Sequence, residues 1–214
     1  MGERVLVVGG HGLIGAEVAR IHADRGDQVD LVDCNRNPRG INDLLARHAV
    51  STFMGDASNR SHLNQLVDER NYSRCYHLAA QLGVENVVTD PLGTMLNNLR
   101  VTETVLSVVG RKKTPTFVAS SSEVYGRTDD RILHEDDDRS YGATVVHRWS
   151  YATTKAIDEH LALAYSHQRG LPVAIGRIFN CTGPRQSPRT GMVIPKLVAQ
   201  ALDGEPMTIV GDGS

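Results

Sequence analysis

The stretch Gly9-Gly10-His11-Gly12-Leu13-Ile14-Gly15 lies directly behind an apolar run, Arg4 to Val8, and directly ahead of an amphipathic segment. A glycine-rich turn between strand and helix lets backbone amides at the helix N-terminus face an anion of the pyrophosphate kind. Far downstream, Tyr151-Ala152-Thr153-Thr154-Lys155 puts a phenol and an ammonium one helical turn apart on the same face. Together the two segments predict a bound dinucleotide beside a tyrosine that moves protons.

Strand and helix signals alternate from there on. Leu13, Ile14, Val18 and Ile21 recur at helical spacing, and Gly26 is placed to end that helix. The next strand, Val29 to Val32, runs into Asp33, 18 residues past Gly15. A carboxylate there can accept both hydroxyls of an adenosine ribose and would repel a 2′-phosphate, so the expected cofactor is NAD rather than NADP, with Arg36 pulling the other way. Further strands are expected at Ser51 to Met54, Arg74 to Leu78, Thr116 to Ser120 and Val173 to Phe179. Two long helices are expected. One covers Pro91 to Val109, through Leu92, Met95, Leu96, Leu99, Thr102, Val105 and Leu106; the other covers Tyr151 to Gln168, with Ile157, Leu161, Ala164 and Tyr165 inward and Gly170 past its end. Between them, Gly126 to Arg148 is polar and acidic, and its run Glu135-Asp136-Asp137-Asp138 reads as a solvated excursion over the site, not a metal centre. Repeated βα units predict an α/β fold, a Rossmann-type doubly wound parallel sheet with helices on both faces.

A length of 214 residues accommodates one such domain and part of a second. The net charge of −2 carries no basic excess to attract nucleic acid or anionic lipid. Cys34, Cys75 and Cys181 lie far apart in no ligand spacing, which argues against a secreted disulfide scaffold and for a reducing cytoplasm. The N-terminus enters its first strand without a basic, apolar leader, and no run reaches bilayer length, so no membrane partner is expected.

In a doubly wound sheet, ligands bind beyond the carboxyl ends of the strands. The glycine turn, Asp33, Gly55-Asp56 and Ser120-Ser121-Ser122-Glu123 all fall there. With His77-Leu78-Ala79-Ala80, Asn98, Ser121 to Gly126, Tyr151 and Lys155, Arg177 to Asn180, Gly183-Pro184-Arg185 and Gly211-Asp212-Gly213, the chain resembles the extended short-chain dehydrogenase/reductase superfamily, in the branch that modifies nucleotide sugars. The resemblance spans almost the whole chain. It implies that Gly9, Gly12, Leu13, Ile14, Gly15, Asp33, Asp56, Ala57, Leu78, Ala79, Ala80 and Asn98 bind NAD, together with Tyr151 and Lys155. Asp56 would contact the adenine amino group, or else serve as a turn or N-cap acid. Tyr151 would take the proton of the sugar 4-hydroxyl as hydride leaves C4, its phenolate supported by Lys155, while Ser121 orients the same oxygen. Asn180 and Arg185 would meet the substrate diphosphate. His77 reads as a packed strand-end histidine, and His11 as non-catalytic.

Once C4 is a ketone, epimerisation, dehydration and decarboxylation are all open. Relatives that dehydrate use adjacent Asp and Glu, and Ser122 stands here where that Asp would be, so loss of the C6 hydroxyl is disfavoured. Ser121-Ser122-Glu123 is closest to the nucleotide-glucuronate decarboxylases, with 4-epimerases as the alternative and Glu123 readable also as a loop acid on backbone amides. The chain ends where relatives enter a small C-terminal substrate subdomain. The expected division is therefore a cofactor domain over 1–180 and the start of a largely missing substrate unit over 181–214, which leaves a non-catalytic NAD-binding protein as a reading of another class. Relatives pair through their long helices, so a homodimer is expected.

Overall fold

Along Arg4–Val8 (β1) the side chains alternate between two cores: Leu6 and Val8 join one, Val5 and Val7 the other. A strand buried on both faces must be central, with helices on either side. The computed structural model describes residues 2–36, 41–81, 89–128, 132–188, 192–209 and 211–212. Gly213 of the expected Gly-Asp-Gly motif lies outside them. Around β1 stand Gln28–Asp33 (β2), Val50–Met54 (β3), Arg74–His77 (β4), Thr116–Ser121 (β5) and Val173–Ile178 (β6). They form one six-stranded sheet in the order β3-β2-β1-β4-β5-β6, every pairing parallel. Leu13–Asp24 (α1) and Asn42–Leu45 (α2) cover the Val5 face, while Arg60–Glu69 (α3), Pro91–Arg111 (α4) and Arg148–Arg169 (α5) cover the Leu6 face. The predicted doubly wound architecture is the one observed, with its switch point beside β1.

The strands begin and end within a residue of the sequence expectation, but the helix faces differ. The inward side of α1 is Gly15, Ala16, Ala19 and His22, and Ile21 is exposed. Small side chains let the helix lie close to the sheet: a Cβ on Gly15 would come within 2.2 Å of the Gly9 carbonyl oxygen. Leu92 and Leu96 of α4 face outward, while Asn98, Val101, Thr102 and Val105 are buried. In α5, Ile157 is exposed and the buried stripe is Ala152, Lys155, Asp158, Glu159 and Ala162. Leu161 and Tyr165 do pack against the core as expected; periodicity misplaces Ile157, Leu92 and Leu96 because neighbouring inward positions carry polar groups with dedicated partners. Gly26 and Gly170 end α1 and α5 as expected, with φ of 87° and 66°. Val193–Asp203 (α6) has no buried residue, and Val193, Ile194, Val198 and Leu202 are exposed.

The described residues of the acidic excursion, 126–128 and 132–147, form no helix or strand, as expected, and they are tied to the body of the domain. Arg127 N donates to the Ser140 carbonyl at 2.7 Å, and Tyr141 stacks on Trp149 at 5.8 Å between ring centroids. No helix among the described residues is long and apolar enough to cross a membrane, and none of their acid, His and Cys clusters could hold a metal ion.

Beneath the site, Arg177 of β6 forks onto Glu159 of α5 with two contacts of 2.9 Å, and Ser120 Oγ donates to Glu159 Oε1 at 2.6 Å. Burial pushes the Glu159 carboxyl up, but the Arg177 and Ser120 hydrogen bonds outweigh it and leave it below the usual range. Replacing Arg177 with Ala would strand that carboxylate. Arg177→Ala is expected to cost roughly 3 kcal/mol in urea unfolding, against which an unchanged midpoint would count.

Candidate active site

Close packing fixes the glycine turn. Gly9 holds φ at 90°, and a side chain there would meet Ala79 N at 2.6 Å. Gly12 is the N-cap of α1; no side chain caps the helix, and its first turn carries no acid. The positive end of the helix dipole and the amides of Leu13, Ile14 and Gly15 are thus left for an external anion. Asp33 ends β2 with its carboxylate already oriented, Oδ2 accepting from His11 N at 2.9 Å and Oδ1 from Asn35 N at 2.8 Å. The His11 ring is buried and meets the Asn35 carbonyl at 2.7 Å, which makes it a clasp between turn and β2.

Asp56 is exposed beyond β3, and its Oδ1 accepts from Ser58 N at 2.8 Å. It closes a turn; the N-cap of α3 is Asn59, not Asp56. Ala57 is buried behind it. Leu78, Ala79 and Ala80 leave the end of β4 half-buried, Leu78 N bonding to the Val8 carbonyl at 2.8 Å. Asn98 is buried, and both ends of its amide hold the Gln81 backbone, at 2.7 and 3.3 Å. Its geometry is that of a brace for the Leu78–Ala80 wall.

Across the switch point, β5 delivers Ser121 at the head of a 3-10 turn, Ser122–Tyr125, where its Oγ accepts from Glu123 N at 3.2 Å. Glu123 is exposed, with Oε2 3.9 Å from Arg148 Nη2. The phenol of Tyr151, half-buried, interacts with the Ser121 side chain. Burial pushes this phenol up to about 12; the Ser121 hydrogen bond pulls it down, and the Asp158 and Glu123 carboxylates push it up. Lys155 points inward, Nζ lying 3.0 Å from the Ala119 carbonyl and 3.0 Å from Asp158 Oδ2. The ammonium expected to support the phenolate is thus also matched by a buried carboxylate one helical turn along. His77 is packed as expected, with Nε2 2.9 Å from Thr102 Oγ1. Burial first, and then the Lys155 charge, lowers it to about 3, so it stays neutral at pH 7.

Asn180 is exposed just past β6, and Arg185 reaches back to Glu17 of α1 at 3.4 Å. Asn180 thus follows the strand end paired with Ser121, while Arg185 lies on the glycine-turn side. Sequence reasoning missed Asp158 and Glu159. Their only signal is position: three and four residues past Lys155, they share its face of the helix.

Residues 5–214 match the model of the NAD dependent epimerase/dehydratase family. The chain is 35% identical to the UDP-N-acetyl-alpha-D-glucosaminuronate decarboxylase of Bacillus cytotoxicus, covering all of this chain and 65% of that protein. It is 31% identical to UDP-glucuronic acid decarboxylase 1 of Xenopus tropicalis, over 99% of this chain and 49% of that one. Among solved structures, UDP-glucuronic acid 4-epimerase from Bacillus cereus, in complex with UDP-glucuronic acid and NAD, superposes with a TM-score of 0.84 at 28% identity, covering 98% of this chain and 66% of that one. The dTDP-glucose 4,6-dehydratase of Bacillus anthracis, in complex with NAD, shares the fold at a TM-score of 0.82 and 24% identity, covering 99% and 65%. The chain thus spans about half to two-thirds of the length of these relatives.

The Gly9 cradle, the uncapped α1 and the oriented Asp33 fit NAD. Asp33→Asn keeps an acceptor but removes the charge. NAD affinity should fall by about tenfold, and the preference over NADP should narrow by at least as much, in calorimetric titrations with both dinucleotides.

Proposed function

The chain belongs to the NAD dependent epimerase/dehydratase family, with NAD as its cofactor, and from that premise we propose that it modifies a nucleotide-sugar through a transient 4-keto intermediate. The reaction we favour is decarboxylation of a nucleotide-glucuronate. One observation carries the reading: the half-buried Tyr151, whose phenol interacts with the Ser121 side chain, stands at the same strand edge as the glycine cradle and the Leu78–Ala80 wall. NAD, when bound, accepts a hydride from the sugar and returns one. Tyr151 takes the 4-hydroxyl proton, and Ser121 holds the resulting oxygen in place. Because its phenol begins near 12, Tyr151 is protonated at neutral pH in the chain by itself and gains basicity only when positive charge is brought beside it.

A C4 ketone makes a C6 carboxylate a β-keto acid. Its C5–C6 bond breaks, carbon dioxide leaves, and the electron pair enters the C4 carbonyl before C5 takes up a proton. Ser122 in place of an acid gives no proton donor for a departing C6 hydroxyl, which argues against dehydration. The second reading, 4-epimerisation with the carboxylate retained, is supported by the close superposition on an epimerase that binds a glucuronate nucleotide.

Residues 1–180 form the cofactor unit of this reading, and 181–214 begin the substrate unit. Return of the 181–188 segment over α1, through Arg185 and Glu17, supports that division. The unpaired state of Cys34, Cys75 and Cys181 suits a cytoplasmic setting. A homodimer is supported by apolar residues left outside on the two long helices, Leu92, Leu96, Ile157 and Leu163.

Mass analysis of a nucleotide-glucuronate incubated with the chain and NAD is expected to show carbon dioxide loss; a 4-epimer of unchanged mass would give the second reading. Tyr151→Phe should reduce turnover by at least roughly a hundredfold without preventing NAD binding. Light scattering should return twice the 23.3 kDa chain mass, and a monomer would remove the dimer from the proposal.

A further inference from the structure

The buried stripe of α5 contains a carboxylate that the reaction as described does not use. Asp158 is wholly inaccessible, yet no apolar residue takes its place. Its Oδ2 lies 3.0 Å from Lys155 Nζ, one helical turn away, and its Oδ1 is buried without a hydrogen bond. A buried ion pair is seldom more stabilising than well-packed apolar side chains, so stability alone does not account for it. Its location does bear on chemistry, because it faces the cation that stands one turn from Tyr151.

We propose that Asp158 is a positioning residue that holds Lys155 as half of a neutral buried pair, and thereby limits the positive charge reaching Tyr151. The inference rests on the reading of Tyr151 and Lys155 as the working pair of the site. The other groups facing the pair add little uncompensated charge. From β4 comes His77, neutral at pH 7; from α4, the Thr102 hydroxyl; from β5, the Ala119 carbonyl and Ser121. On α5 itself, Glu159 is matched by Arg177 of β6, and Glu123 of the 3-10 turn faces Tyr151 from the solvent side. Asp158 is the charge within this shell that sets the balance. Burial raises its own carboxyl in spite of Lys155, and its negative charge helps to raise the Tyr151 phenol. With the carboxylate in place, the phenol stays protonated in the chain alone. Removing only the charge leaves the ammonium unmatched beside Tyr151 and favours phenolate.

The test is a residue-resolved titration of the full chain with 3-fluorotyrosine in place of its tyrosines. The ring fluorine lowers phenol ionisation into a range where the fold survives, and Tyr151→Phe identifies the Tyr151 resonance. In Asp158→Asn, whose amide oxygen can still accept from Nζ, and in Asp158→Ala, the Tyr151 midpoint should fall by about one pH unit, the shift that roughly 1.4 kcal/mol of charge interaction produces. The remaining tyrosines should not move. The acid limb of kcat should move down in parallel, with KM little changed, a response that loosened packing alone would not give. An unmoved or higher Tyr151 midpoint in either folded variant overturns the proposal. If neither single variant folds, Lys155→Met with Asp158→Leu replaces the pair by apolar groups of similar size. A midpoint equal to the unsubstituted chain then supports a neutral pair, and a clear rise means that Lys155 acted uncompensated. The fluorine titration needs no substrate, so the turnover of Tyr151→Phe tests the catalytic reading separately and either can fail alone.

Discussion

The carboxyl edge of the sheet depends on how closely the backbone passes itself at Gly9. Only hydrogen fits at that Cα, because the start of the Leu78–Ala80 segment lies where a side chain would be. Gly15, in the first turn of α1, repeats the condition against the Gly9 carbonyl. These two contacts set the height of α1 above the sheet, and hence the direction in which its uncapped amides point. They also fix the gap between the β1 and β4 ends in which a dinucleotide would lie. Asp33 and His11 then add polar fastening around a geometry that the glycines have already determined.

A second theme is the use of polar side chains where helices meet the sheet. Asn98, Thr102, Lys155, Asp158 and Glu159 are all buried, and four of them make specific hydrogen bonds to β4, β5 or the segment that follows β4. An apolar stripe would hold α4 and α5 against the sheet as firmly, but it would not define their positions along it. Directional bonds do. The two helices are thereby registered to the strand ends, where Ser121 and Tyr151 must meet.

This is also why the sequence was legible in some places and opaque in others. The strands read as short apolar or β-branched runs, and their parallel arrangement followed from the βα alternation, so β1 through β6 and the glycine turn could be located from residue types alone, although the order of the strands in the sheet could not. The Tyr151–Lys155 spacing likewise put both residues on one helix, as observed. Helix orientation did not: Ile157, Leu92 and Leu96 look like core residues by periodicity, while Asp158 and Glu159 look like surface. Their burial depends on Lys155 and Arg177, and Arg177 comes from a strand that no local pattern connects to α5. Pairing of that kind is tertiary information. The direction of Lys155 was hidden for the same reason, since nothing in its own helix turn indicates that an inward carboxylate will claim it.

The last strand of the sheet gives the site an unusual neighbour. Among the described residues no strand lies on the outer side of β6, and none of its own residues is fully buried. The fork between Arg177 and Glu159 consequently sits one layer from water, with 15% of the Arg177 side chain accessible. Any strand laid along that margin would strip solvent from the fork and lower the local dielectric. The attraction between the two charges would then strengthen. Because Glu159 also grips Ser120, the residue before Ser121, tightening the outer margin would stiffen the strand end that presents the serine. The rigidity of the chemical centre is in this way tied to what covers the far side of the sheet.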